Sequence, residues 1–222
     1  MKTPVYIANP TNVHCQQAVQ AMVLLAFKHA SFVGSRMFSQ LDKMNEAESD
    51  KWTSDYSGIM GMAKDGMSVI YASSYDLVEY SKNPYEMYLD YCGKAVADTF
   101  QDKLDLKKSA DSAYQLSNLK PHNYSNIRGL KTKSLLELLD AGYLVNAWVD
   151  SGQMRGTGKF SGHYVLVYGH DGESVMAHDP GGSISRGDPH NIGKRIQIDR
   201  FDTIRRYPET NNAGAFIAYK AA

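Results

Sequence analysis

The chain has 222 residues, enough for one domain with a full hydrophobic core, and its 24 basic side chains are matched by 24 acidic ones. That balance gives no electrostatic footprint for nucleic acid or an anionic membrane, and neither is expected as a partner. The opening residues MKTPVYIANPTNV carry one Lys and no long apolar run. This is not the pattern of a secretory signal, so a soluble, cytoplasmic protein is expected.

In chain order, Asn9-Pro10-Thr11-Asn12 is a turn-and-cap cluster, and Pro10 forces Asn9 out of the α region, so no helix begins before it. From Cys15 the segment CQQAVQAMVLLAFKHA is polar in its first turn and apolar on nearly every side from Ala18 to Phe27. That pattern predicts a helix buried in the middle of a domain; with Gln20 inside it, the stretch is far too short to span a bilayer. Residues from about 34 to 130 read as a mostly helical insertion. The expected helices are Thr53 to Lys64, Pro84 to Tyr91, Lys94 to Leu104 and Ser109 to Leu119, with one strand at Met67 to Ala72. The many tyrosines here, among them Tyr71, Tyr75, Tyr80 and Tyr88, suit a helical core or its rim, or a substrate-facing groove. A helix from Thr132 to Ala141 ends at Gly142, and strands follow at Tyr143 to Val149, His163 to Tyr168, Ser174 to His178, Arg195 to Ile198 and Ala213 to Tyr219. Helices first and an antiparallel sheet second is an α+β order, here in a single domain spanning 1–222.

Cys15 and Cys92 are too few for a disulfide framework or a metal-ligand cluster. Cys15, however, opens the buried helix, where the positive end of the helix dipole and unpaired N–H groups favour a thiolate. Such a nucleophile needs a base, and the base an orienting group. The segment GHYVLVYGHDGESVMAHDPGG offers His163 and Asp179. A three-residue His170-Asp171-Gly172 hairpin loop would set Gly169 opposite Glu173 and His163 opposite Asp179, on one sheet face. A two-residue loop would instead turn Asp179 to the other face. Cys92 lacks a neighbouring cation before Lys94 and reads as an inert thiol.

Cys at the head of an apolar helix, then G-H-Y-V-L-V-Y-G-H-D-G and H-D-P-G-G, resembles the double-glycine leader peptidase-like branch of the papain-like cysteine peptidases, mainly over residues 5–30 and 130–220. The resemblance implies a papain-like fold with Cys15 as nucleophile, His163 as general base and Asp179 as the residue orienting the histidine. In that family a Gln six residues before the nucleophile lines the oxyanion hole; this chain has Asn9 there, and Gln16 where the family usually has Gly. The implied activity is a cysteine hydrolase cleaving an amide, isopeptide or thioester bond through an acyl-enzyme, acting on a peptide or an acyl- or amide-containing substrate without a cofactor. The same triad serves acyltransferases and amide-forming enzymes, and a binding module that has lost activity would keep the fold. A metal site built from His163, His170, His178, Asp179 and His190 is disfavoured, because no H-x-x-x-H or paired-Cys spacing occurs. Substrate-binding residues and oligomeric state are not legible at this level.

Overall fold

The computed structural model describes residues 3–11, 13–28, 36–47, 51–119, 124–128, 131–181 and 189–222. Asn12 of the expected turn and the final glycine of H-D-P-G-G, Gly182, lie outside them. In chain order the described residues form α1 (Cys15–Ala26), α2 (Met37–Met44), α3 (Asp55–Lys64), β1 (Met67–Ser73), α4 (Leu77–Lys82), α5 (Pro84–Cys92), α6 (Lys94–Lys103) and α7 (Leu106–Asn118). After these come β2 (Tyr124–Arg128), α8 (Thr132–Asp140), β3 (Leu144–Asp150), α9 (Ser151–Arg155), β4 (Gly162–His170), β5 (Ser174–His178), β6 (Lys194–Gln197), α10 (Ile198–Ile204) and β7 (Phe216–Ala221).

The seven strands make one sheet in the order β2-β1-β7-β3-β4-β5-β6. The chain is α+β as expected, but the sheet is mixed rather than antiparallel throughout: β1 runs parallel to β2 and antiparallel to β7. Through β1 the helical middle of the chain shares a sheet with the C-terminal strands. The expected strand at Arg195 to Ile198 starts one residue earlier and gives way to α10 at Ile198.

All seven residues of β3 are buried, which is the consequence of its mid-sheet position with cover on both faces. Side chains alternate between two apolar clusters, as the two-residue period of a strand requires. Leu144 and Trp148 join the larger cluster with Val19, Met22 and Val23 of α1; Val145, Ala147 and Val149 join the smaller one with Leu135 of α8 and Phe201 of α10. Helix α1 packs across β3 and β4 and is buried from Gln16 through Leu24. Full burial of Met22 and Leu24 contributes about 1.5–3 kcal/mol each, which holds the start of α1 against the sheet.

Two of the three glutamines of α1 are used as well. Gln17 donates through Nε2 to Thr53 Oγ1 at 2.9 Å, and Gln20 Oε1 accepts from Asn45 Nδ2 at 2.6 Å. These bonds tie α1 to α2 and to the turn before α3. No helix among the described residues is long and apolar enough to cross a membrane.

Candidate active site

Cys15 is the first residue of α1, so the unpaired N–H groups of the helix start surround its backbone. The preceding His14 does not cap the helix; its Nε2 lies 3.1 Å from Asp42 Oδ1, and its Nδ1 bonds Thr11 Oγ1.

His163 is the second residue of β4, paired with Val149 of β3. Its Nε2 donates to Asp179 Oδ1 at 2.7 Å. The carboxylate only accepts, so the proton on that bond belongs to the ring. This leaves Nδ1 for the Cys15 thiol, to which His163 is also hydrogen-bonded. Burial alone would depress the imidazole, but the bonds to Asp179 and Cys15 and their charges outweigh it and raise His163 from 6.5 to about 9. For Asp179, burial acts upward, and the opposing contacts with His163 and Lys194 win, holding the carboxyl well below the usual range.

The hairpin that brings His163 and Asp179 together differs from the expected one. His170 pairs with Val175, and Gly169 stands opposite Met176 rather than Glu173. The longer connection is stapled by Asp171, whose Oδ1 accepts from the N–H groups of Glu173 and Ser174, with Gly172 at a φ of 93°. Continued unbroken, that register would turn Asp179 away from His163. A bulge between Val167 and Gly169 shifts the pairing by one residue, and beyond it Leu166 stands opposite His178. Asp179 then follows on the face of Val165 and becomes a diagonal neighbour of His163.

Asp179 is held from three further directions. Its N–H donates to Asn191 O at 2.9 Å, its Oδ1 also accepts from Gly181 N–H at 2.9 Å, and Lys194 Nζ lies 2.9 Å from Oδ2. Lys194 escaped the sequence reading because a lysine on an outer strand is ordinary.

Asn9 is 1% exposed and lines the same cavity as Cys15 and His163. Its Oδ1 accepts from Thr11 N–H at 3.0 Å, which fixes the amide orientation and leaves Nδ2 as a donor with no partner among the described residues. Its own N–H donates to Pro180 O at 2.9 Å, so Asn9 is docked on the residue after Asp179. Gln16 also lines the cavity; it is 2% exposed, and neither end of its amide has a hydrogen-bond partner among the described residues.

The cavity has a volume of about 350 Å³ and lies where β3 ends and β4 begins. Beyond the thiol its walls are aromatic, with Tyr75 and Tyr88 among the expected tyrosines and Trp148 stacked on Phe160 at 5.9 Å between ring centres. Asp55 of α3 also faces it, accepting from Tyr164 Oη at 2.5 Å. Burial raises the Asp55 carboxyl to about 6, with the Tyr164 bond pulling the other way. No motif marks this pair, because an Asp in the first turn of a helix is commonplace.

The remaining candidates lie elsewhere. Cys92 is fully buried, and burial pushes its thiol up to about 12 against a hydrogen bond from Tyr207. His170 bonds Asp140 at 3.0 Å, and His178 Nε2 donates to Pro4 O at 3.0 Å. Among the described residues no three His, Cys, Asp or Glu side chains converge as metal ligands would. No protein-family model matches the chain, and no curated protein matches it.

Proposed function

We propose that this protein is a papain-like cysteine hydrolase that cleaves an amide, isopeptide or thioester bond through an acyl-enzyme on Cys15. The observation that carries the proposal is a buried imidazole bonded on one side to the Asp179 carboxylate and on the other to a thiol at the start of a buried helix. A raised imidazole keeps its proton at neutral pH, so the Cys15 sulfur has an imidazolium beside it in the resting site. The likeness of the Cys15 helix and the H-D-P-G-G run to double-glycine leader peptidases points the same way.

In the first step the Cys15 sulfur attacks the substrate carbonyl, and the oxygen becomes an anion in reach of Asn9 Nδ2 and the Cys15 N–H. His163 then gives its Nδ1 proton to the departing amine or thiol, and the C–N or C–S bond breaks. In the second step the neutral imidazole takes a proton from water, which attacks the thioester and frees Cys15. Asp179 keeps the ring in one tautomer and balances its charge throughout. Two free cysteines, one of them the nucleophile, suit a reducing, cytoplasmic setting.

The test is a mass-spectrometric trap with a panel of amide, isopeptide and thioester donors. An acyl adduct on the Cys15 peptide, absent in Cys15→Ala, is expected. No adduct with any donor, or an adduct that survives in Cys15→Ala, would refute the assignment.

A further inference from the structure

We propose that the cavity beside Cys15 is a recognition site for a primary alkylammonium group, seated against the Asp55 carboxylate and surrounded by aromatic side chains. That the ammonium belongs to the substrate rests on the hydrolase reading; that the cavity binds it does not.

Asp55 brings an unbalanced charge to the cavity. Asp55 sits in a cavity whose other walls include Tyr56, Tyr88, Phe100, Trp148 and Tyr207. Its only described side-chain partner is the neutral Tyr164 hydroxyl, and among the described residues no Lys, Arg or His forms an ion pair with it. Two cationic groups line the same cavity. His163 is occupied by Asp179 and Cys15, and Arg155 stands exposed at the rim. A carboxylate so desolvated and unpaired is costly to the unliganded protein, and burial accordingly raises its proton affinity. An arriving cation removes that cost.

The wall of the cavity suits a cation as well. Tyrosine and tryptophan rings attract an ammonium through their π electrons, and they also pack against an alkyl stem. Their hydroxyls are largely spent on one another: Tyr75 Oη lies 3.1 Å from both Tyr56 Oη and Tyr71 Oη. The wall therefore offers few free donors to an anion or a sugar, and Asp55 repels an anion outright. At about 350 Å³ the space is at the small end of ligand sites, which suits one lysine-like side chain or a small amine.

Ligand-observed NMR titrations of the wild-type protein with n-pentylammonium chloride and with pentan-1-ol test this, because the two differ in charge and hardly in shape. The ammonium should bind about tenfold or more tightly than the alcohol. Asp55→Asn should abolish that preference while leaving alcohol binding unchanged. Equal affinity of the two probes for the wild type would overturn the proposal, and so would undiminished ammonium binding by a folded Asp55→Asn. The wild-type comparison decides the matter even if the variant fails to fold. Neither titration depends on Cys15 chemistry, so an inert thiol in the acyl trap would sink the hydrolase and leave the ammonium site standing.

Discussion

Replacing Asp55 by asparagine should stabilise the unliganded protein at neutral pH and do nothing for it in acid. The carboxyl titrates near 3.8 when unfolded and at about 6 when folded, because burial disfavours its charge. Between those values the folded state holds the proton more tightly, so stability falls as pH rises from about 4 to about 6. A shift of roughly two units corresponds to about 3 kcal/mol, already net of the Tyr164 bond, and water in the cavity trims it to about 2–3 kcal/mol. Asparagine has the same shape, can still accept from Tyr164, and carries no charge to desolvate. For a chain of this size the gain is worth about 5–10 °C in melting temperature. Thermal unfolding of both proteins at pH 4 and pH 7 reads it directly: the curves should coincide at the lower pH and separate at the higher. An equal separation at both, or a variant less stable at pH 7, would mean that Asp55 is compensated in the folded protein, and the case for a missing cation would go with it.

Dilute iodoacetamide near pH 6 should label Cys15 before Cys92, since Cys92 is fully buried and its thiol is pushed up to about 12. In His163→Ala that preference should shrink, which peptide mapping by mass spectrometry detects; equal labelling in the parent protein would remove Cys15 as the nucleophile. His163 titrates higher folded than unfolded, so its stabilising contribution is complete below about pH 6.5 and disappears as pH rises through about 9. The stability deficit of His163→Ala should therefore be larger at pH 6 than at pH 10 in denaturant titrations. Asn9→Ala should lower turnover of any substrate found by about a hundredfold or more. Unchanged turnover would leave only backbone donors at the oxyanion. Lys194→Met removes a cation that competes for Asp179, so His163 should titrate higher in an NMR experiment; a downward move would show that Lys194 acts on the imidazole in some other way.

Which side chains would meet was more legible in the sequence than the register that brings them together. Cys15 announces itself because a polar first turn precedes an unbroken apolar run, and the structure begins α1 at that residue. His163 and Asp179 could be matched by counting along a hairpin, and they do meet. They meet through a bulge at Tyr168 that counting does not supply, since a one-residue irregularity leaves no mark on hydrophobic alternation. The short helices α2 and α4 lack enough turns for a periodic signal, and the polar strand YSNIR reads as loop until β1 is there to pair with it. Asp55 and Tyr164 are 109 residues apart and neither belongs to a motif, so only the folded cavity relates them. Gln16 could be singled out, but its lack of a hydrogen-bond partner among the described residues could not.

The arm before α1 is fastened to the far end of the chain: Pro4 O accepts from His178, and Pro180 O accepts from both Asn9 N–H and Tyr6 Oη. Segments 174 residues apart in sequence thus share one short seam. On a ribosome moving at about 5–20 residues per second, Cys15 is made roughly seven to thirty seconds before His163 of β4. Throughout that interval the thiol has no His163 imidazole beside it. Closing the seam is a long-range event that pays its loop entropy late, so reactivity should appear only with the last stage of folding.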